Sequence, residues 1–230
     1  MEFFLYAIFG TADELGFDST VEPVYRITSD KKVKCDYRYR VKNQATGDDE
    51  VFQTIGSPIT EDKAYEIVSQ ATRVWLVRKV ISDDGETLVL SEETRILKDG
   101  WLFEDARLEK DIQDDIFERI SKNMGEHAAE HARQYFLTIL HDSVVTSGEG
   151  KDDITPVCKP KDQRPVGQVD IVSETTSQEA PSSRHIPRRH GARKHVRTVF
   201  KEHCKNVFEL TDFGSFIKCL IGCTNGMFTD

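Results

Sequence analysis

The sequence lacks a long apolar run, an internal repeat and any cysteine pattern. No stretch approaches the roughly 20 apolar residues that cross a bilayer. The opening MEFFLYAIFG is short, has no basic flank and runs into Asp13-Glu14, so it reads as a packed segment rather than a signal peptide. Cys35, Cys158, Cys204, Cys219 and Cys223 are odd in number and widely spread, which excludes a disulfide framework and a zinc spacing. A reducing intracellular compartment is the simplest fit. Hydrophobic residues (38%) are scarce and charged ones (31%) plentiful, so a substantial part of the 230-residue chain is expected to stay unfolded. The charge is uneven. Residues 1–145 carry a net −11, which is no nucleic-acid footprint, whereas residues 146–230 carry +2.

Turn residues divide the first part into short strands. Val21 to Ile27, Val33 to Val41 and Glu50 to Ile55 are separated by Thr28-Ser29-Asp30 and Thr46-Gly47-Asp48. In the middle one Cys35, Tyr37, Tyr39 and Val41 alternate with Lys34, Asp36, Arg38 and Arg40, the signature of a half-buried antiparallel meander. Met1 to Gly16 is consistent with a short helix ending at its glycine, and Glu61 to Val68 fits either a helical turn or a strand. RVWLVRKV at Arg73–Val80 is a strand, turned back by Ser82-Asp83-Asp84-Gly85 into Thr87 to Leu90. Ala128 to Thr146 begins helically and ends in an apolar run. From Ser147 to His190 proline, serine, glycine and charge dominate without periodicity, which predicts a disordered insertion of roughly forty residues. A strand at Val196–Lys201 and a helix at about 208–220 follow.

The stretch from Arg95 to Ile120 has two periods. Ile96 and Lys98 alternate with Arg95 and Leu97 as in a strand, ended by Gly100. Leu108, Ile112, Ile116 and Ile120 then recur every fourth residue as on one helix stripe. Glu109 heads the inward side of that helix. A lysine ending a strand and an inward glutamate opening a helix can close into the ion pair that holds a lysine against nucleotide phosphates. A solvated lysine beside an acidic amphipathic helix satisfies the same pattern, and the pattern alone leaves both open.

The wording of the chain resembles the fungal-type protein kinase family. The resemblance lies in LGFDSTVEPV (Leu15–Val24), ATRVWLV (Ala71–Val77), ILKDGW (Ile96–Trp101), RLEKDIQDDIF (Arg107–Phe117), YFLTILHD (Tyr135–Asp142) and HVRTVFKEHCKNVFEL (His195–Leu210). It implies an α+β fold: a protein-kinase-like N-terminal lobe of antiparallel sheet plus one C-type helix, an incomplete C-terminal lobe and a long disordered insertion. The division is then a β-rich extension (1–60), the lobe (61–146), the insertion (147–190) and the last lobe strand, hinge and first C-lobe helix (191–230). ATP and Mg²⁺ are implied as cofactors by the resemblance alone. Lys98 matches the phosphate-facing lysine and Glu109 the glutamate that orients it. Thr72 and Val74 match the strand leaving the phosphate loop, and Glu202, His203 and Cys204 fall in the hinge that meets an adenine.

Two departures bear on activity. Ser69-Gln70-Ala71 stand where the family tends to have glycines, which let backbone approach phosphate. No H-R-D occurs in the 230 residues, so the catalytic-loop Asp and the metal-holding Asn and Asp have no match. By this alignment the chain stops before the catalytic loop. It is expected to hold ATP without transferring phosphate, and to expose the apolar faces of Val196–Phe200 and Phe213–Leu220 to a protein partner. Asp212-Phe213-Gly214 spells a metal-binding tripeptide but lies in the first helix after the hinge, so it reads as a chance match. His127, Glu130 and His131 share helical spacing and read as a solvated face rather than a metal site. The basic segment Arg184–Lys194 offers a rival role in nuclear import or nucleic-acid binding, or the chain serves as a scaffold. It lacks the aromatics that stack bases.

Overall fold

The computed structural model describes residues 8–11, 15, 17–27, 30–61, 71–85, 87–146, 150–155, 191–204, 211–214, 217–218 and 221. The expected helices at Met1–Gly16 and 208–220, the segment Glu61–Val68 and most of 147–190 lie largely outside these residues.

One antiparallel sheet organises the rest. Its strands are β1 (Val21–Ile27), β2 (Val33–Lys42), β3 (Asp49–Thr54), β4 (Thr60–Glu61), β5 (Arg73–Asp83), β6 (Leu88–Phe103), β7 (Ile139–Val144) and β8 (Arg193–Phe200). Helices α1 (Glu109–Met124) and α2 (Glu126–Arg133) connect β6 to β7. The spatial order is β1-β2-β3-β5-β6-β8-β7, with β4 paired to the start of β5. This is an α+β arrangement, compatible with the kinase-like lobe that the resemblance implies.

The sheet curls. Near its far edge the His141 ring lies 5.9 Å from Phe52 of β3, its Nε2 is 3.3 Å from Glu50, and Gln44, just past β2, donates to the Asp142 carbonyl. Inside the curl Tyr39, Val41, Phe52, Trp75, Val77, Leu97 and Val199 form the apolar core. Strand alternation supplies it: Leu97 faces Trp75 and Val199 across its two ladders.

Four expectations need correction. Gly100 does not end the lysine strand. β6 is one 16-residue strand that absorbs the segment expected at Thr87–Leu90, Lys98 lies well inside it, and Gly100 pairs with Val196. A glycine in a ladder loses packing and entropy but keeps its backbone partners. Second, the every-fourth stripe on α1 drifts, because a 3.6-residue turn rotates four-residue steps off one face. Ile112 is 43% exposed while Phe117, at 4%, is buried. Third, Val196–Phe200 is not an uncovered face. β8 runs between β6 and β7 and every residue from Val196 to Phe200 is buried. Fourth, order extends into the expected insertion. The Asp153 N–H donates to the Val145 carbonyl, the His195 N–H to the Asp153 carbonyl and the Thr155 N–H to the Arg193 carbonyl.

Leu97→Ala, which empties the centre of this core, is expected to cost about 2–5 kcal/mol. Ile112→Ala, on the same chain but half in water, is expected to cost under about 1 kcal/mol. Urea unfolding of both variants checks the assignment; equal losses contradict it.

Candidate functional site

Lys98 lies opposite Val74 of β5 and Thr198 of β8. Its face is the one turned away from the core, since its neighbours Leu97 and Asp99 point into the curl. From there its Nζ donates to Oε1 of Glu109, the first residue of α1. The two side chains remain 38% and 36% exposed. A pair so open to water contributes about 0–1 kcal/mol to folding. Its consequence is therefore geometric: it fixes where one ammonium points.

α1 reaches that position without a cap of its own. Leu108 stands at the N-cap and offers no side-chain hydrogen bond, although the first four N–H groups of a helix need acceptors. An acceptor comes from β7 instead. The Lys110 N–H donates to Oδ2 of Asp142 at 2.7 Å, and the Thr198 hydroxyl donates to Oδ1 at 2.9 Å. Asp142 is fully buried. Burial pushes its carboxyl above the usual carboxylate range, against the two hydrogen bonds. Further along, Gln113 of α1 donates to the Leu137 carbonyl at 2.9 Å, and the Phe117 ring meets Phe136 edge-on at 5.1 Å.

The segment after β8 is held by the same strand. The Lys201 N–H donates to the Thr138 carbonyl at 2.9 Å. Glu202 accepts from the Thr138 N–H at 2.8 Å and hydroxyl at 2.7 Å. Burial raises the Glu202 pKa, but these bonds outweigh it and the net shift is downward. The Glu202 carboxylate is thus occupied, while His203 and Cys204 are exposed. At the other end of the site Thr72 is half-buried, and the Val74 carbonyl accepts from the Ile59 N–H at 2.7 Å. Ser69 and Gln70 lie outside the described residues. Ala71 adopts φ +43, the left-handed conformation that glycine takes freely and that costs other residues about 1 kcal/mol.

Inside the curl Asp99 faces the opposite way from Lys98. Its Oδ1 accepts from Nε of Arg197 at 2.9 Å and meets Nε2 of His195 at 2.9 Å. Nδ1 of His195 lies 3.0 Å from Asp153, so both ring nitrogens face carboxylates and both are donors. The ring stacks on Trp101 at 4.6 Å. Arg197 donates further to the Thr20 hydroxyl at 2.5 Å and the Arg40 carbonyl at 2.9 Å, pairs with Asp18 and covers the Tyr39 ring at 5.0 Å. Burial works to lower the His195 pKa, but the bonds to Asp153 and Asp99 and the Asp99 charge outweigh it and raise it to about 9.

The structure therefore brings Lys98, Glu109 and Val74 together and puts residues 202–204 at the exit of β8. Sequence reasoning missed Asp142, Thr198 and Thr138. The one available signal was Leu108, an apolar residue where a helix start calls for an acceptor. His127 and His131 lie exposed on α2, and His131 meets the edge of Tyr135 at 5.4 Å. Among the described residues no three His, Cys, Asp or Glu side chains come close enough to hold a metal ion. Of the basic segment, Arg193 covers the Phe103 ring at 4.7 Å and Lys194 donates to the Ala106 carbonyl at 2.5 Å; residues 184–190 lie outside the described residues. Phe213 is 76% exposed. No described helix is long and apolar enough to cross a membrane.

A family model described as fungal protein kinase matches residues 1–229. No curated protein and no solved structure matches the chain significantly.

The His195 cluster has a pH signature. Its pKa is about 9 in the fold against about 6.5 unfolded, so the stabilisation is complete below about pH 6.5 and is lost as pH rises through about 9. The loss is on the order of 3 kcal/mol. Urea unfolding from pH 6 to 10 should show that fall in the native chain and not in His195→Gln; the same fall in both contradicts the assignment.

Proposed function

The chain belongs to the fungal protein kinase family, and from that premise we propose that it is a nucleotide-holding, kinase-like lobe that does not transfer phosphate by itself. The observation that carries this reading is the Lys98–Glu109 pair joining a central strand to the helix that follows it. In phosphoryl transfer a lysine so oriented neutralises phosphate oxygens, and a glutamate on the helix keeps it there. The groups available fit the phosphate end of a nucleotide: a partly exposed ammonium beside Val74, and a glycine-like backbone turn at Ala71. Backbone at Glu202, His203 and Cys204 is the hinge, offering N–H and C=O to an adenine edge. ATP is the ligand we assign.

The metal half fits less well. A family member would be expected to use Mg²⁺, yet no described cluster of acids could hold it and these 230 residues contain no H-R-D. No group is therefore assigned as proton acceptor or metal ligand. We read residues 191–230 as the last lobe strand, the hinge and part of a C-terminal lobe, and most of 147–190 as an insertion. An intracellular setting is what the unpatterned cysteines support. The nucleic-acid reading of Arg184–Lys194 is weaker, because Arg193 and Lys194 are already engaged within the lobe.

ATP at about ten times its Kd should stabilise the chain by about 1.4 kcal/mol, read as a rise in thermal midpoint. Lys98→Ala should abolish the rise and Glu109→Gln should reduce it, while neither lowers the ligand-free midpoint by more than an exposed pair allows. Steady γ-phosphate transfer that Lys98→Ala removes would overturn the non-catalytic part of the reading. A nucleotide response indifferent to Lys98 would overturn the site.

A further inference from the structure

We infer that Asp142 is the positioning residue of the Lys98–Glu109 pair, a buried latch that holds α1 in the place where its glutamate can meet the lysine. The inference rests on the site proposed above, but its geometry stands separately. Lys98 and Thr198 are direct partners on β6 and β8. The Thr198 hydroxyl donates to Asp142, and Asp142 accepts the Lys110 N–H. Lys110 follows Glu109, whose carboxylate accepts from Lys98. The four contacts form a closed ring from β6 through β8 and β7 to α1 and back.

Each link of this ring differs in strength. The Lys98–Glu109 link is open to solvent and screened, so it cannot hold a helix by itself. The Asp142 carboxyl is itself buried with both oxygens engaged, its bond to Thr198 buried and its bond to Lys110 part-buried. Losing a buried partner leaves donors without acceptors and costs far more than the pair is worth. The helix has no substitute at hand, since Leu108 provides no side-chain cap. Among the described residues its other hydrogen bond and ring contact to the strand side, Gln113–Leu137 and Phe117–Phe136, lie one to two turns further on. They leave the first turn, where Glu109 sits, free to open.

Amide hydrogen exchange of the 230-residue chain reads the latch without nucleotide. Asp142→Ala should speed exchange in the first turn of α1, residues 110–113, by at least about tenfold, the scale expected when one buried hydrogen-bond partner is removed. Exchange at Phe117–Met124 should change little. Asp142→Asn, whose amide can accept from Lys110 and donate to Thr198, should restore protection and keeps the test valid where the alanine variant fails to fold. Glu118→Gln, on the exposed side of the same helix, should leave the turn as in the native chain. ATP binding by calorimetry gives the second arm: Asp142→Ala should weaken it to the level of Glu109→Gln, and the double variant should weaken it no further. Native-like exchange at 110–113 in Asp142→Ala, or losses of affinity that add, would overturn the inference. A native chain that binds no ATP overturns the functional reading instead, and the exchange result then decides the latch alone.

Discussion

Two neighbouring residues on a strand cannot share a face, and Lys98 and Asp99 are neighbours of opposite charge in the middle of β6. The pleat sends one ammonium towards α1 and one carboxylate into the curl. Much of the lobe answers to that division. On the outer face the answer is Glu109, and behind it Asp142 and Thr198. On the inner face it is Arg197 and His195, with Asp18 and Asp153 completing their hydrogen bonds. β8 supplies both sides, because Thr198 and Arg197 are themselves consecutive and pair with Lys98 and Asp99 in turn. A slip of one residue between β6 and β8 would set Thr198 and Arg197 against the wrong faces at once.

The two faces differ in what their charges do. Compared with an apolar replacement of the same volume, a buried ionic cluster gains little net stability, because desolvating each charge offsets most of the attraction. What Arg197 provides is connection: one guanidinium links β6, β2 and the segment before β1. Those bonds hold the three elements in register with one another. The outer pair is wet and weak, so it contributes direction rather than hold. Rigidity on the inside and an oriented, accessible cation on the outside are the combination a phosphate site requires, since pre-organised charge costs no rearrangement when the ligand arrives.

The strands of the meander, the β5 strand and the placement of Lys98 and Glu109 were legible in the sequence, because alternation and helical period are local. The failures were non-local. Gly100 looked like a stop, yet both flanking strands extend past it and carry its backbone. The apolar run Tyr135–Leu140 was read only as the end of a segment that begins helically. In fact a strand begins within it at Ile139 and Leu140 is exposed, its role set by Asp142 and Thr138 meeting residues 56 and 64 positions away. His195 and Arg197 follow directly on the basic segment Arg184–Lys194; only the fold shows that both are buried against acids. Val196–Phe200 looked like a face awaiting a cover because β7, which covers it, was not recognised as a strand.

β7 also ties the segment after β8 to the helix. Thr138, just before it, grips Glu202 beyond β8, and Asp142 near its middle grips the first turn of α1. The two grips are four residues apart on one extended strand, about 13 Å at strand rise. An adenine edge bound at residues 202–204 and a phosphate bound at Lys98 would therefore be held through the same strand. The Thr138 bonds to Glu202 are exposed, whereas the Asp142 side chain nearer the helix is buried. The spacing between residues 202–204 and the Lys98 ammonium is thus tied to β7.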